Sequence, residues 1–106
     1  MSFHFKSTVR MSPALAAIVV FKVISDICSM MGYDVWLTSA NDGQHKVGSL
    51  HYQDKAWDFR THHLLPQDKK EIVKALKKRL EPQFDVLFEY EGTENEHVHI
   101  EYDPKS

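Results

Sequence analysis

Ser12-Pro13, the run from Ala14 to Met31, and then Gly32 constrain this chain more than any other feature. Serine suits a helix N-cap, proline the first helical position and glycine the residue just past the end, so one helix of roughly five turns is predicted here. Its polar residues Lys22, Ser25, Asp26 and Ser29 recur at three- and four-residue spacing on one side. Most of its circumference is therefore apolar, and such a helix has to be covered by the rest of the fold. With 106 residues the chain has room for one small domain, 1–106, and not for a multidomain enzyme.

The uninterrupted apolar stretch Ala14 to Phe21 ends at Lys22, short of the ~20 residues that span a bilayer. Met1-Ser2-Phe3-His4-Phe5-Lys6 has no apolar signal core with a small-residue cleavage site. The expectation is a soluble protein, cytoplasmic at synthesis, without membrane insertion. Cys28 is the only cysteine, so no internal disulfide forms, and with no activating group nearby in sequence it reads as packing.

The cover for the helix follows from the remaining segments. Asp34 to Thr38 is rich in β-branched and aromatic residues and reads as a strand, followed by a polar loop from Ser39 to Gly48. Lys55 to Arg60 alternates, with Trp57 and Phe59 on one face and Ala56, Asp58 and Arg60 on the other. Pro66 opens a second helix whose stripe is Ile72, Val73, Ala75, Leu76 and Leu80, and Glu81-Pro82 ends it. Phe84 to Tyr90 and His97 to Tyr102 read as strands joined by an acidic loop, which makes a hairpin. The predicted class is α+β, a mainly antiparallel sheet with two helices.

A formal charge of −2 gives no global field for nucleic acid. The lysine-rich face of the second helix (Lys69, Lys70, Lys74, Lys77, Lys78, Arg79) reads as a solvated surface. Histidine is the anomaly: six of the seven lie between His45 and His99. Strand alternation puts His97 and His99 on one face, away from Val98 and Ile100. A second element, in which His51 precedes Asp58 by seven positions, adds a histidine and a strand-borne carboxylate. Two imidazoles and one carboxylate are a donor set suited to one Zn²⁺ ion, and three ligands with an open fourth position are the pattern of a catalytic site. Such an ion acidifies water, and a neighbouring carboxylate can take the proton.

Ser49-x-His51-x6-Asp58, with Ala56 two before the aspartate, followed by Glu96-His97-Val98-His99, resembles the zinc peptidases of the D-alanyl-D-alanine carboxypeptidase type. That group shares its fold with hedgehog signalling domains and phage peptidoglycan endopeptidases. The resemblance implies that His51, Asp58 and His99 bind zinc, that Glu96 is the general base, and that His97 holds the scissile carbonyl or its oxyanion. Ser49 would support the loop around His51 or is a plain turn serine; Arg60, on the face of Asp58, would form a structural ion pair or orient a carboxylate; His45, in the same loop, would line the cleft or sit exposed. The substrate implied is a peptide bond in peptidoglycan stem peptides or cross-links. Asp54 stands where the family has glycine. No arginine follows the first strand, in Ser39-Ala40-Asn41-Asp42, which makes an endopeptidase at least as attractive as a carboxypeptidase.

Alternation and family pattern disagree over the base. Strict alternation places Glu101 on the face of His97 and His99 and turns Glu96 away. Glu96 is kept on the family pattern because it stands at the strand entrance, with Glu101 as second choice. Two rival functions share these residues: a zinc-binding module of the same fold without catalysis, and a His-hydrophobe-His nuclease in which Tyr102 would be the nucleophile. His62 and His63 read as surface residues.

Overall fold

Ser12 caps the first helix as its residue type predicts, its hydroxyl accepting from the Leu15 amide at 3.2 Å. The helix, α1, runs Pro13–Met30. Gly32 at φ 81° and the bond from the Tyr33 amide to the Cys28 carbonyl close its C-terminus, a left-handed turn that glycine takes without a Cβ penalty. In the computed structural model the residues described are 6, 10–39 and 55–103.

Strands β1 (Leu37–Ser39) and β2 (Ala56–Arg60), helix α2 (Pro66–Leu80), and strands β3 (Phe84–Glu89) and β4 (His97–Tyr102) complete the order. The protein is α+β: two helices and a four-stranded sheet of order β1-β2-β4-β3, every pair antiparallel. β1 is shorter than Asp34 to Thr38 leads one to expect. The register slips between Leu37 and Ser39, and Trp36 gives its carbonyl to the Arg60 amide outside the regular ladder. Ladder pairing at this edge is thus confined to three residues.

One face of the sheet carries Trp57, Phe59, Phe84, Val86, Val98, Ile100 and Tyr102, all buried. Against it pack Ala16, Val19, Val20, Val23, Ile24 and Ile27 of α1 and Ile72, Leu76 and Leu80 of α2. Each of these larger side chains contributes about 1.5–3 kcal/mol by leaving water. Phe21 meets Trp57 and Phe59 edge-on at 6.2 and 6.0 Å. By length and composition alone α1 is apolar enough to cross a membrane. Seven of its residues are buried in this core, and Cys28 is one of them, its thiol pushed up by burial as packing rather than reactivity dictates. Between the helices, Arg79 reaches Asp26 at 3.8 Å.

Candidate active site

The face of the sheet opposite the helices receives the alternate residues of three strands. β4 runs through the middle, and its register sets out three rows: Arg60, His97 and Glu89; Asp58, His99 and Leu87; Ala56, Glu101 and Asp85. His97, His99 and Glu101 thus form a line on one rigid strand, flanked by Arg60 and Asp58 of β2 and by Glu89 and Asp85 of β3, with Ala56 and Leu87 as the apolar members. The period of two places the side chains, and the antiparallel register decides who faces whom.

His99 and Asp58 stand directly opposite each other, with Nδ1 2.7 Å from Asp58 Oδ1. Nε2 of the same ring lies 2.8 Å from Glu101 Oε1. Both partners only accept, so both ring nitrogens carry protons and the metal-free side chain is an imidazolium. Burial works against that charge, but the hydrogen bonds and attraction of Asp58 and Glu101 outweigh it, and the pKa is raised to about 9.

The raised value fixes the sign of a stability effect. In chelator-treated protein, His99 stabilises the fold fully below its unfolded value of 6.5, and the contribution fades as pH rises to about 9. With 13% of the side chain exposed, solvent screening is modest, and the shift corresponds to at most about 3 kcal/mol. Urea midpoints of the metal-free protein should therefore fall between pH 6.5 and 9, and His99→Gln should flatten that slope. A slope that is the same in the variant would remove His99 as its source.

His97 is held differently. Its Nδ1 donates to the Asn95 carbonyl at 2.6 Å, which leaves Nε2 facing Glu89 Oε1 at 3.1 Å and Asp58 Oδ1 at 3.8 Å. Tyr90 stacks a tilted ring 5.7 Å from the imidazole. Its φ of 55° is left-handed, an uncommon conformation for a tyrosine, and it lies where β3 hands over to the loop before β4. A cleft of about 460 Å³ opens beside His97, bounded by Thr38, Arg60, Tyr90, Glu94, Asn95 and Glu96. Arg60 lies over the Trp36 ring at 5.8 Å and is exposed, a cation at the rim of that cleft.

Glu96 borders the same cleft as His97, but its carboxylate is engaged by other partners. Its side chain points to the helix side of the sheet, as strict alternation requires, and the residue is 3% exposed. Lys69 of α2 forks across both carboxylate oxygens at 2.9 and 3.0 Å, Thr61 donates to Oε1 at 2.6 Å, and the Gly92 amide donates to Oε2 at 2.9 Å. Burial disfavours the carboxylate, yet these donors hold its pKa below the ordinary range. A group so committed clamps the loop at 90–96 to α2. Lys69, grouped by helical period with a solvated surface, belongs to this clamp instead.

Glu101, the second choice, does reach the site face through His99. His51, Ser49 and His45 lie outside the described residues. Tyr102 is buried on the core face, its hydroxyl accepting from the Met11 amide at 2.8 Å, so the nucleophile that a nuclease needs is turned away from His97 and His99. His62 and His63 are exposed, and His63 Nε2 meets the Asp34 carbonyl at 3.1 Å. Among the described residues, Asp85, Glu101 and Asp103 also bring oxygens within 4.8 Å of one another at the end of β4. Glu89 is the site residue that sequence reasoning missed. The signal was present in the hairpin: alternation in Phe84 to Tyr90 puts Asp85, Leu87 and Glu89 on the outer face, and only the register was needed to seat Glu89 beside His97.

The fold and this face define an α+β protein whose antiparallel sheet bears a histidine–carboxylate cluster beside a cleft. Comparison with protein-family models, curated proteins and solved structures finds no match.

Proposed function

We propose that this protein is a zinc metallopeptidase that hydrolyses a peptide bond in peptidoglycan stem peptides or cross-links, on a hedgehog-like variant of its α+β fold. The observation that carries the reading is the meeting of Asp58 Oδ1 and His99 Nδ1 at 2.7 Å, across two strands, on the face that also presents His97. One carboxylate oxygen and one imidazole nitrogen, each on a rigid strand, suit zinc as two of three ligands. His51 is the third by the Ser-x-His-x6-Asp motif.

Zinc bound there supplies Lewis acidity toward an amide carbonyl and toward water. The water's proton goes to a carboxylate that passes it to the leaving amine, Glu96 by the resemblance or Glu101 as second choice, and the chain's other groups bind and orient. His97, pinned by Asn95 through Nδ1, aims Nε2 at the reacting carbonyl and, when protonated, donates to the oxyanion that develops there. Glu89 holds that nitrogen until substrate takes its place. Arg60 at the cleft rim offers a charge for a carboxylate of an acidic stem peptide.

A specific observation favours a second reading. Glu96, the base that the resemblance implies, is spent on Lys69, as befits a zinc-binding module of the same fold that no longer hydrolyses anything. Mass spectrometry of fragments released from several purified peptidoglycans separates the two readings. The peptidase is expected to generate new peptide termini with wild-type protein and zinc, and none with His51→Ala or after chelation. Fragments that appear equally with His51→Ala would sink the metallopeptidase, and zinc-loaded protein that leaves every preparation intact would select the binding module.

A further inference from the structure

We infer that Glu101 is a positioning residue: its carboxylate holds the Nε2–H of His99, so that the ring presents its Nδ1 lone pair beside Asp58 and binds zinc more tightly. The inference rests on the metal-centre part of the function proposed above, and it does not depend on peptide hydrolysis.

The argument starts from the ring's two ends. Nδ1 faces Asp58 Oδ1 at 2.7 Å and Nε2 faces Glu101 Oε1 at 2.8 Å, so the imidazole is held along its length by two carboxylates. At the Nδ1 end His97 also lies near the same oxygen, with Nε2 of that ring 3.8 Å from Asp58 Oδ1. The Nδ1 end thus gathers nitrogen and oxygen donors together, whereas the Nε2 end gathers carboxylates alone, Glu101 with Asp85 and Asp103. When a cation replaces the Nδ1 proton, the remaining proton sits on Nε2 with Glu101 as its acceptor. A carboxylate on the far nitrogen fixes the tautomer, stops the ring from rotating and makes the ligating nitrogen more basic.

The backbone makes Glu101 hard to displace from this task. It lies two residues beyond His99 on β4, and the same register places Asp85 opposite it on β3. Oxygens of Asp85 and Asp103 come within 4.8 Å of its own, which adds negative potential on the side of the ring away from the proposed ion. Glu101 thereby acts through His99 and is not itself required to touch substrate.

The test is zinc affinity measured by competition with a chromophoric chelator, using wild type, Glu101→Gln, Glu101→Ala and His99→Ala. Glu101→Ala is expected to weaken zinc by roughly 10–100-fold. Glu101→Gln, whose amide oxygen can still accept from Nε2–H, should lose less. An affinity for Glu101→Ala within about threefold of wild type, with His99→Ala still deficient, would overturn the positioning role and leave the metal centre standing. Wild type that binds no zinc, or His99→Ala that binds it normally, would overturn both. A second measurement needs no variant: ¹⁵N spectra of the histidine rings in zinc-loaded wild type should show His99 protonated at Nε2 and metal-bound at Nδ1. The reverse tautomer would refute the proposal even if Glu101→Ala failed to fold.

Discussion

Glu96→Ala is expected to cost the fold about 3–5 kcal/mol, because removing one partner of a buried ion pair strands the other. Lys69 keeps only 16% of its side chain exposed, and Thr61 and the Gly92 amide would lose their acceptor with it. For a domain of this size the loss corresponds to a melting temperature lower by more than about 10 °C. The damage should spread to the loop at 90–96, whose Asn95 carbonyl orients His97. The double variant Glu96→Leu with Lys69→Met separates this role from catalysis, since replacing both charges by apolar groups removes the stranded ion. Restored stability together with retained hydrolysis would establish the clamp as structural. Restored stability with hydrolysis still abolished would return Glu96 to the role of base that the Glu-x-x-His pattern implies.

Asp58→Ala should have the larger effect on function. Asp58 Oδ1 lies 2.7 Å from His99 Nδ1 and 3.8 Å from His97 Nε2, so one atom organises both imidazoles. Removing it takes away the only anionic ligand of the proposed zinc set and one of the two carboxylates that orient His99. Since loss of an outer partner alone typically costs 10–100-fold in metal affinity, loss of this ligand is expected to exceed about 100-fold. Peptide release should become undetectable. Isothermal titration with zinc and the fragment assay check the two parts separately, and zinc binding as tight as wild type would remove Asp58 from the centre. The same variant should lower the pKa of His99 from about 9 in the metal-free protein, which proton NMR of the ring reads directly.

Much of this site follows from strand period alone. Alternation in Lys55 to Arg60 separates Asp58 from Trp57 and Phe59, and in β4 it sets His97, His99 and Glu101 against Val98, Ile100 and Tyr102. The structure keeps every one of those assignments. It also keeps alternation at the strand entrance, where a family pattern argues for bending it: Glu96 faces the helices beside Val98. The cap, proline and glycine around α1, and the proline and apolar stripe of α2, likewise mark their own boundaries because helix ends are governed by neighbours a few residues away.

What the sequence by itself determined is which side of each element its residues occupy, since a period of two or of 3.6 is a property of the local backbone. What only the tertiary structure decided is who meets whom. Asp58 and His99 are 41 residues apart and Glu96 and Lys69 are 27 apart, so their contacts depend on strand register and helix docking, which no local rule encodes. Glu89 beside His97 is a product of the same register, and Lys69 left its solvated neighbours because α2 happens to lay it over a buried carboxylate.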